Sequence, residues 1–203
     1  MNSTVRRRSD PIRLVVLLAV VGTAAWACRI PFVPGQPINP SLEPVAGVYP
    51  VEARDRTTDE LVEATLPYYA DGRFDESYPG VRTFVMMIHS SSSNPPGEYE
   101  VVATMAAADG VRHETYVFAP HLLADEKLAE WSPPDGTIYW GWPYWGSQLS
   151  LVTPDQREVY LSAYKVLDRM LTEAMWSGRF PDLESVVLAG HSAGGQLVQR
   201  YAA

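Results

Sequence analysis

The sequence predicts an α/β fold, with an open, mostly parallel sheet that carries helices on both faces. Short apolar runs alternate with segments of helical periodicity between residues 83 and 203. Alternation of this kind favours parallel strands joined by right-handed crossovers. The chain has 203 residues, of which 46% are hydrophobic and 20% are charged, which is enough for one domain with its own core.

The N-terminal stretch is predicted to be an export signal. An arginine-rich start precedes an apolar run over residues 14–25, which is shorter than the roughly 20 residues of a membrane span. Ala25-Trp26-Ala27 has the form of a cleavage site. We expect residues 1–27 to be removed and the product to be periplasmic, envelope-anchored or extracellular. Because Cys28 follows directly, membrane attachment through a lipidated N-terminus is one alternative; an uncleaved anchor and a free cysteine are the others.

Charge and cysteine content exclude two classes of function. The formal net charge is −8, and removal of residues 1–27, with four Arg and one Asp, lowers it to −11. An acidic exported chain is a poor candidate for binding nucleic acid. A single cysteine leaves no internal disulfide and no cysteine-rich zinc site, and we expect neither a metal nor a cofactor.

The segments that follow are predicted in chain order. Residues 28–50 are proline-rich and are predicted to be an extended linker, so the domain is expected to span residues 51–203. Residues 60–69 fit either a short helix or a strand followed by a turn. Residues 84–88 form an apolar run typical of a buried parallel strand.

A helix is predicted over residues 98–109, closed by Gly110, and a second strand over residues 115–119. Thr153-Pro154-Asp155-Gln156 has the form of a capping box and predicts that a long helix begins there and ends at Gly178. One face of that helix would carry four apolar or aromatic residues, Tyr160, Tyr164, Leu167 and Leu171. A third strand is predicted over residues 186–189, and a last helix begins at Gly195.

The third strand leads into Gly190-His191-Ser192-Ala193-Gly194, which has the form G-x-S-x-G at a strand-to-helix turn. A serine on such a strained turn stands clear of the backbone, and the helix N-terminus favours negative charge. Ser192 is therefore the candidate catalytic nucleophile, and the Ala193 N–H is a candidate donor to a tetrahedral oxyanion. The alternative is a glycine-rich structural turn in which the serine has no catalytic role.

The second oxyanion donor is expected from the loop after the strand at residues 84–88. Ser90 or Ser91 would supply it through a backbone N–H, and the alternative is an ordinary polar surface turn. His89 is interpreted as a residue that shapes this loop.

An aromatic segment over residues 139–146 contains Trp140, Trp142 and Trp145. We interpret it as aromatic packing over the sheet edge. The functional alternative is the wall of a substrate pocket or a sugar-stacking surface.

Residues 188–196 and the strand that ends at His89 resemble the α/β-hydrolase superfamily. Residues 180–183 and 199–202 add a similarity to secreted or microbial members of it. The resemblance covers about residues 80–203, the N-terminal half to two-thirds of such a domain. It implies an exported serine hydrolase that acts on a small-molecule carboxylic ester, or another acyl substrate, through a Ser-His-acid triad. The chain departs from many relatives in having Ser90 where they have glycine after the histidine.

In that superfamily the acid and the histidine follow the nucleophile, so the sequence predicts a truncated chain without appreciable esterase activity. His121, which follows a strand at the same end of the sheet as Ser192, is the one substitute base that the sequence offers. Two other functions stay open: a non-catalytic carbohydrate- or lipid-binding envelope protein on the same frame, and a lipid-anchored structural protein.

Overall fold

A computed structural model of the chain describes residues 13–19, 44–141 and 148–203. Nine strands and four α-helices lie in these residues. The strands are β1 (Arg13–Ala19), β2 (Val45–Asp55), β3 (Leu61–Ala70), β4 (Thr83–Ile88), β5 (Thr115–Pro120), β6 (Ile138–Tyr139), β7 (Leu149–Val152), β8 (Arg157–Tyr160) and β9 (Ser185–His191). The helices are α1 (Pro95–Ala108), α2 (Leu128–Trp131), α3 (Ala163–Trp176) and α4 (Ala193–Tyr201).

The nine strands form one mixed sheet in the order β1-β9-β4-β5-β3-β2-β8-β7-β6. The prediction of a mostly parallel sheet is wrong, because only β1, β9, β4 and β5 pair in parallel. The five remaining pairings, from β5–β3 through to β7–β6, are antiparallel. The segment just before β6, at the end of the antiparallel part, also lies against β3. There the Thr65 N–H donates to the Gly136 carbonyl at 2.8 Å.

One cause of this difference is the segment that was predicted to begin the long helix. Residues 153–156 instead form an exposed turn between β7 and β8, with Gln156 in the left-handed region at φ 54°. Val159 is buried in β8, and Arg157 is ion-paired with Asp55 of β2, so this stretch is held in the sheet. The helix α3 begins later, where the Ser162 hydroxyl accepts a hydrogen bond from the Lys165 N–H at 3.3 Å.

Two other boundaries differ from the sequence predictions, and one open alternative is decided. Residues 60–69 were predicted as either a short helix or a strand followed by a turn, and the structure has the strand, Leu61–Ala70, which pairs with β2 over almost its whole length. β2 begins at Val45, so the last residues of the predicted linker belong to the sheet. Helix α1 begins at Pro95 because the Asn94 side chain caps it, accepting from the Gly97 N–H at 3.2 Å, and prolines are favoured in a first helical turn.

The predicted export signal is only partly described. Arg13–Ala19 lies as β1 in parallel beside β9, in a register that pairs Arg13 with Ser185 and Ala19 with His191. The predicted cleavage site and Cys28 lie outside the described residues. Within the described ranges, no helix is long and apolar enough to cross a membrane.

The core has two parts, one on each face of β5. Tyr116 and Phe118 point into the larger cluster, which also contains the buried residues of α3 and α4. Val117 and Ala119 point to the other face, where they pack against Tyr99 of α1. The sheet therefore separates α1 from α3 and α4.

A buried ion pair fixes α1 to the sheet. Both oxygens of the Asp71 carboxylate accept from the Arg112 guanidinium, and one also accepts from the Tyr99 hydroxyl. The Val117 N–H donates to the same carboxylate at 2.6 Å. Because its hydrogen bonds are supplied on all sides, this charge can remain buried between β3, β5 and α1.

Candidate active site

Ser192 lies exposed between β9 and α4, at the point where the sequence predicts a strained turn. Its backbone has φ 51° and ψ −110°. A left-handed φ with this ψ corresponds to the first central position of a type II′ turn, which glycine usually occupies. A serine held in such a conformation costs on the order of 1–3 kcal/mol, and strain of this kind concentrates at functional sites.

The two glycines of the motif are required by space rather than by their own backbone angles. A Cβ on Gly190 would overlap the Gly194 carbonyl group, and a Cβ on Gly194 would overlap the Ile88 and His89 carbonyl oxygens. The strand and the helix can therefore approach each other, and β4, only because both positions lack a side chain. The turn is thereby held against the end of the neighbouring strand.

The N-terminus of α4 offers N–H groups beside the serine. The first α-helical hydrogen bond at this end runs from the Gln196 N–H to the Ser192 carbonyl at 3.1 Å. The Ala193 N–H comes before it and has no partner within the helix. Ala193 is itself buried, and it directly follows the exposed Ser192.

The loop at residues 89–94, called the serine loop below, follows β4 next to this turn, since Ile88 pairs with Gly190. The Ser90 N–H donates to the Glu98 carboxylate at 3.3 Å. This bond engages one of the two N–H groups that the sequence offered as oxyanion donors. Ser91 lies exposed in the same loop and remains the candidate donor.

His89 holds the peptide group between Ser90 and Ser91. Its ring Nδ1–H donates to the Ser90 carbonyl at 2.7 Å, because a carbonyl oxygen can only accept. In a planar trans peptide the following N–H points the opposite way, so the Ser91 N–H is directed away from the His89 ring. His89 is buried, and burial lowers the pKa of its imidazole.

His121 is also buried and holds the other end of the serine loop. Its Nε2 lies 2.9 Å from the Ser93 hydroxyl, and its ring packs against Trp131 at 4.2 Å between centroids. Burial, with a smaller contribution from His89, lowers the pKa of His121 to about 3. The ring is therefore neutral near pH 7 and serves as a packing and hydrogen-bonding group.

Sequence reasoning missed Glu98, which lies in the first turn of α1. Its Oε1 is 3.0 Å from Nδ1 of His191, the residue immediately before Ser192. The two residues are 93 positions apart, so only the fold brings them together. The one available signal was an acidic residue near a helix N-terminus, where the helix dipole favours it.

The described contacts supply no general base for Ser192. No hydrogen bond joins a described histidine to the Ser192 hydroxyl, and His121 and His191 direct ring nitrogens at Ser93 and Glu98. His113 lies exposed before β5, at the other end of that strand. The same described ranges contain no cluster of three or more side chains suited to hold a metal ion.

The aromatic segment is divided between the core and residues outside the described ranges. Trp140 is fully buried, and its indole N–H donates to the Leu161 carbonyl at 2.9 Å. It is therefore a core residue and cannot form the wall of an open pocket. Trp142 and Trp145 lie outside the described residues.

The chain was compared with protein-family models, with curated proteins and with solved structures. None of the three comparisons found a match. The assignment of a function therefore depends on the turn at Ser192 and its surroundings.

Proposed function

We propose that the chain is a serine hydrolase that attacks a carboxylic ester, or a related acyl group, through the Ser192 hydroxyl. The observation that carries the proposal is the backbone of Ser192, at φ 51° and ψ −110°, exposed between a strand and the N-terminus of a helix. Structural turns rarely place serine in this conformation when glycine would be unstrained. The local similarity to the α/β-hydrolase superfamily at residues 188–196 supports the same chemistry.

The expected reaction has the usual two steps of acyl transfer. Ser192 Oγ bonds to the carbonyl carbon, its proton passes to solvent water, and the carbonyl oxygen becomes an oxyanion that the Ala193 and Ser91 N–H groups stabilise. The ester oxygen then takes a proton and leaves as the alcohol. Water releases the acid from the acyl-enzyme and restores the serine.

Rapid turnover also needs a general base, and no described side chain is hydrogen-bonded to the Ser192 hydroxyl. An unassisted serine hydroxyl is a weak nucleophile. We therefore expect the 203-residue chain to show little esterase turnover, while the environment of Ser192 still favours its acylation or phosphonylation over that of other serines.

The alternative of a non-catalytic carbohydrate-binding protein has less support. It relied on the aromatic segment, and Trp140 is buried in the core. It would gain support from saturable ligand binding by a chain in which Ser192 is unreactive.

A fluorophosphonate probe tests the proposal. Protein is incubated with the probe, digested, and the modified serines are quantified by mass spectrometry over time. Ser132 is the matched internal control, because it is also exposed and also has a positive φ, 42°, but it follows a short helix. An oxyanion donor contributes about 100-fold or more in rate, so we expect labelling at Ser192 to exceed that at Ser132 by about that factor.

Ser192→Ala should abolish the dominant label, and Ser132→Ala should leave it unchanged. Equal labelling of the two serines in the parent chain would overturn the proposal. So would a dominant label that survives Ser192→Ala.

A further inference from the structure

Glu98 is a buried carboxylate at a junction of two chain segments. Its side chain is 11% exposed, and His191 is the one basic side chain that lies within ion-pair distance of it in the described part of the chain. A buried carboxylate is costly unless its oxygens accept hydrogen bonds. Here one oxygen, Oε1, faces both His191 Nδ1 at 3.0 Å and the Ser90 N–H at 3.3 Å.

The two donors come from the two halves of the proposed site. Ser90 immediately precedes Ser91, the candidate oxyanion donor, and His191 immediately precedes Ser192, the candidate nucleophile. One carboxylate oxygen thus bonds both the serine loop and the turn at Ser192.

The rigidity of α1 makes this connection effective. Glu98 belongs to a helix that Asn94 caps at one end and that the Asp71–Arg112–Tyr99 cluster ties to the sheet. A carboxylate on such a fixed support cannot follow independent movements of the loop and the turn. Catalytic donors must be held to within about 0.5 Å, so a shared fixed acceptor is a suitable device for this purpose.

We propose that Glu98 is a positioning residue that holds the Ser91 N–H and the Ser192 hydroxyl at a fixed separation, by bonding the preceding residue of each. The charge of the carboxylate strengthens both hydrogen bonds, and both donors are engaged at the same oxygen. Glu98 does not touch the substrate. This role deepens the proposed hydrolase function and rests on it, but it makes a structural prediction that can be measured separately.

The separate measurement is amide hydrogen exchange in the full 203-residue chain. Glu98→Ala removes both hydrogen bonds, and Glu98→Gln keeps the shape and an acceptor oxygen but removes the charge. Glu100→Gln is the matched control, because Glu100 is exposed on the same helix. We expect Glu98→Ala to lose exchange protection at both residues 89–94 and residues 190–195, Glu98→Gln to show a smaller loss at both, and Glu100→Gln to show none.

Labelling of Ser192 by the fluorophosphonate probe is the second measurement. Misplacement by about 1 Å can cost about 100-fold in rate, so we expect labelling to fall about 10- to 100-fold in Glu98→Ala and to recover partly in Glu98→Gln. If Glu98→Ala does not fold, hydrogen exchange and labelling are both measured on Glu98→Gln alone.

The two measurements separate the two proposals. Loss of exchange protection in the serine loop alone, with residues 190–195 unchanged, would overturn the role of Glu98. So would unchanged labelling in both Glu98 variants. If Ser192 is unreactive in the parent chain, the hydrolase function fails, and hydrogen exchange still decides whether Glu98 joins the two segments.

Discussion

Gly194 lies so close to the Ile88 carbonyl that the space between them admits no side chain. This contact joins the first turn of α4 to the end of β4, and it brings the serine loop beside Ser192. Because Gly194 has no Cβ, the first turn of α4 can lie directly against the end of β4.

Gly194→Ala should therefore destabilise the protein by about 2–3 kcal/mol, because overpacking a tight contact forces the backbone apart. The free energy of unfolding in urea measures this effect. Gly110→Ala is the control, since a Cβ there meets open space and costs only the strain of its φ of +73°, about 1 kcal/mol. A loss no larger in Gly194→Ala than in Gly110→Ala would contradict the packing argument.

Ser192→Gly should stabilise the fold and remove its reactivity. Glycine relieves the strain of on the order of 1–3 kcal/mol and costs about 0.5–1 kcal/mol in backbone entropy, so a gain of about 1 kcal/mol is expected. Thermal unfolding gives the change in stability. Ser132→Gly, at φ 42° and ψ 58°, starts from the more accessible left-handed helical region and should gain less. A Ser192→Gly protein that is less stable than the parent would show that the turn is not strained.

Acid should destabilise the protein through His121. The folded pKa of about 3 lies below the usual 6.5, so the unfolded chain binds more protons between these values. Stability from the neutral ring is complete above pH 6.5 and is lost as the pH falls toward 3, by at most about 1.4 kcal/mol per pH unit. The free energy of unfolding at pH 7 and pH 5 measures this slope.

His121→Gln keeps a polar atom near the Ser93 hydroxyl but cannot be protonated, so it should flatten the slope. His113→Gln serves as the control, since His113 is exposed. Part of the slope should remain, because burial also lowers the pKa of His89. The assignment to His121 is wrong if the slope in His121→Gln is as steep as in the parent chain.

Processing at the predicted cleavage site should change the association of the chain. A product that begins at Cys28 lacks β1, which leaves the outer edge of β9 without its partner strand. Unpaired strand edges are templates for association. Light scattering after size-exclusion chromatography should show more concentration-dependent association for residues 28–203 than for residues 1–203. Identical behaviour of the two would mean that β1 does not protect this edge in solution.

Three of the four parallel strands, β4, β5 and β9, could be predicted because each is a continuous apolar run, whereas β1 lies in the segment that was predicted to be an export signal. Residues 84–88, 115–119 and 186–189 all lie in strands, and the turn at Ser192 follows the third. The antiparallel strands were less accessible to prediction: β3 was one of two alternatives, and the first residues of β2 were assigned to the proline-rich linker. β8 has only Val159 buried among four residues, and the proline at position 154 resembles a helix start as much as a hairpin turn.

The site was predictable only where it is local in sequence. The strand, the two glycines and Ser192 lie within ten residues, and their spacing alone predicts the strand-to-helix turn. The contacts of Glu98 with His191 and of His121 with Ser93 depend on which strands become neighbours. That order is decided by pairing across the whole sheet, which the composition of one segment does not contain.

The exposed turn at residues 153–156 has a practical consequence for handling this protein. In the order of the sheet, four strands separate β8 from β9, so the hairpin tip is remote from Ser192. Surface hairpin tips without buried contacts are where inserted sequences are best tolerated. Thr153 is hydrogen-bonded to residues 134, 136 and 137, so the exposed Asp155 and Gln156 are the positions that suit an internal affinity tag or a fluorophore, and this choice leaves both termini untouched.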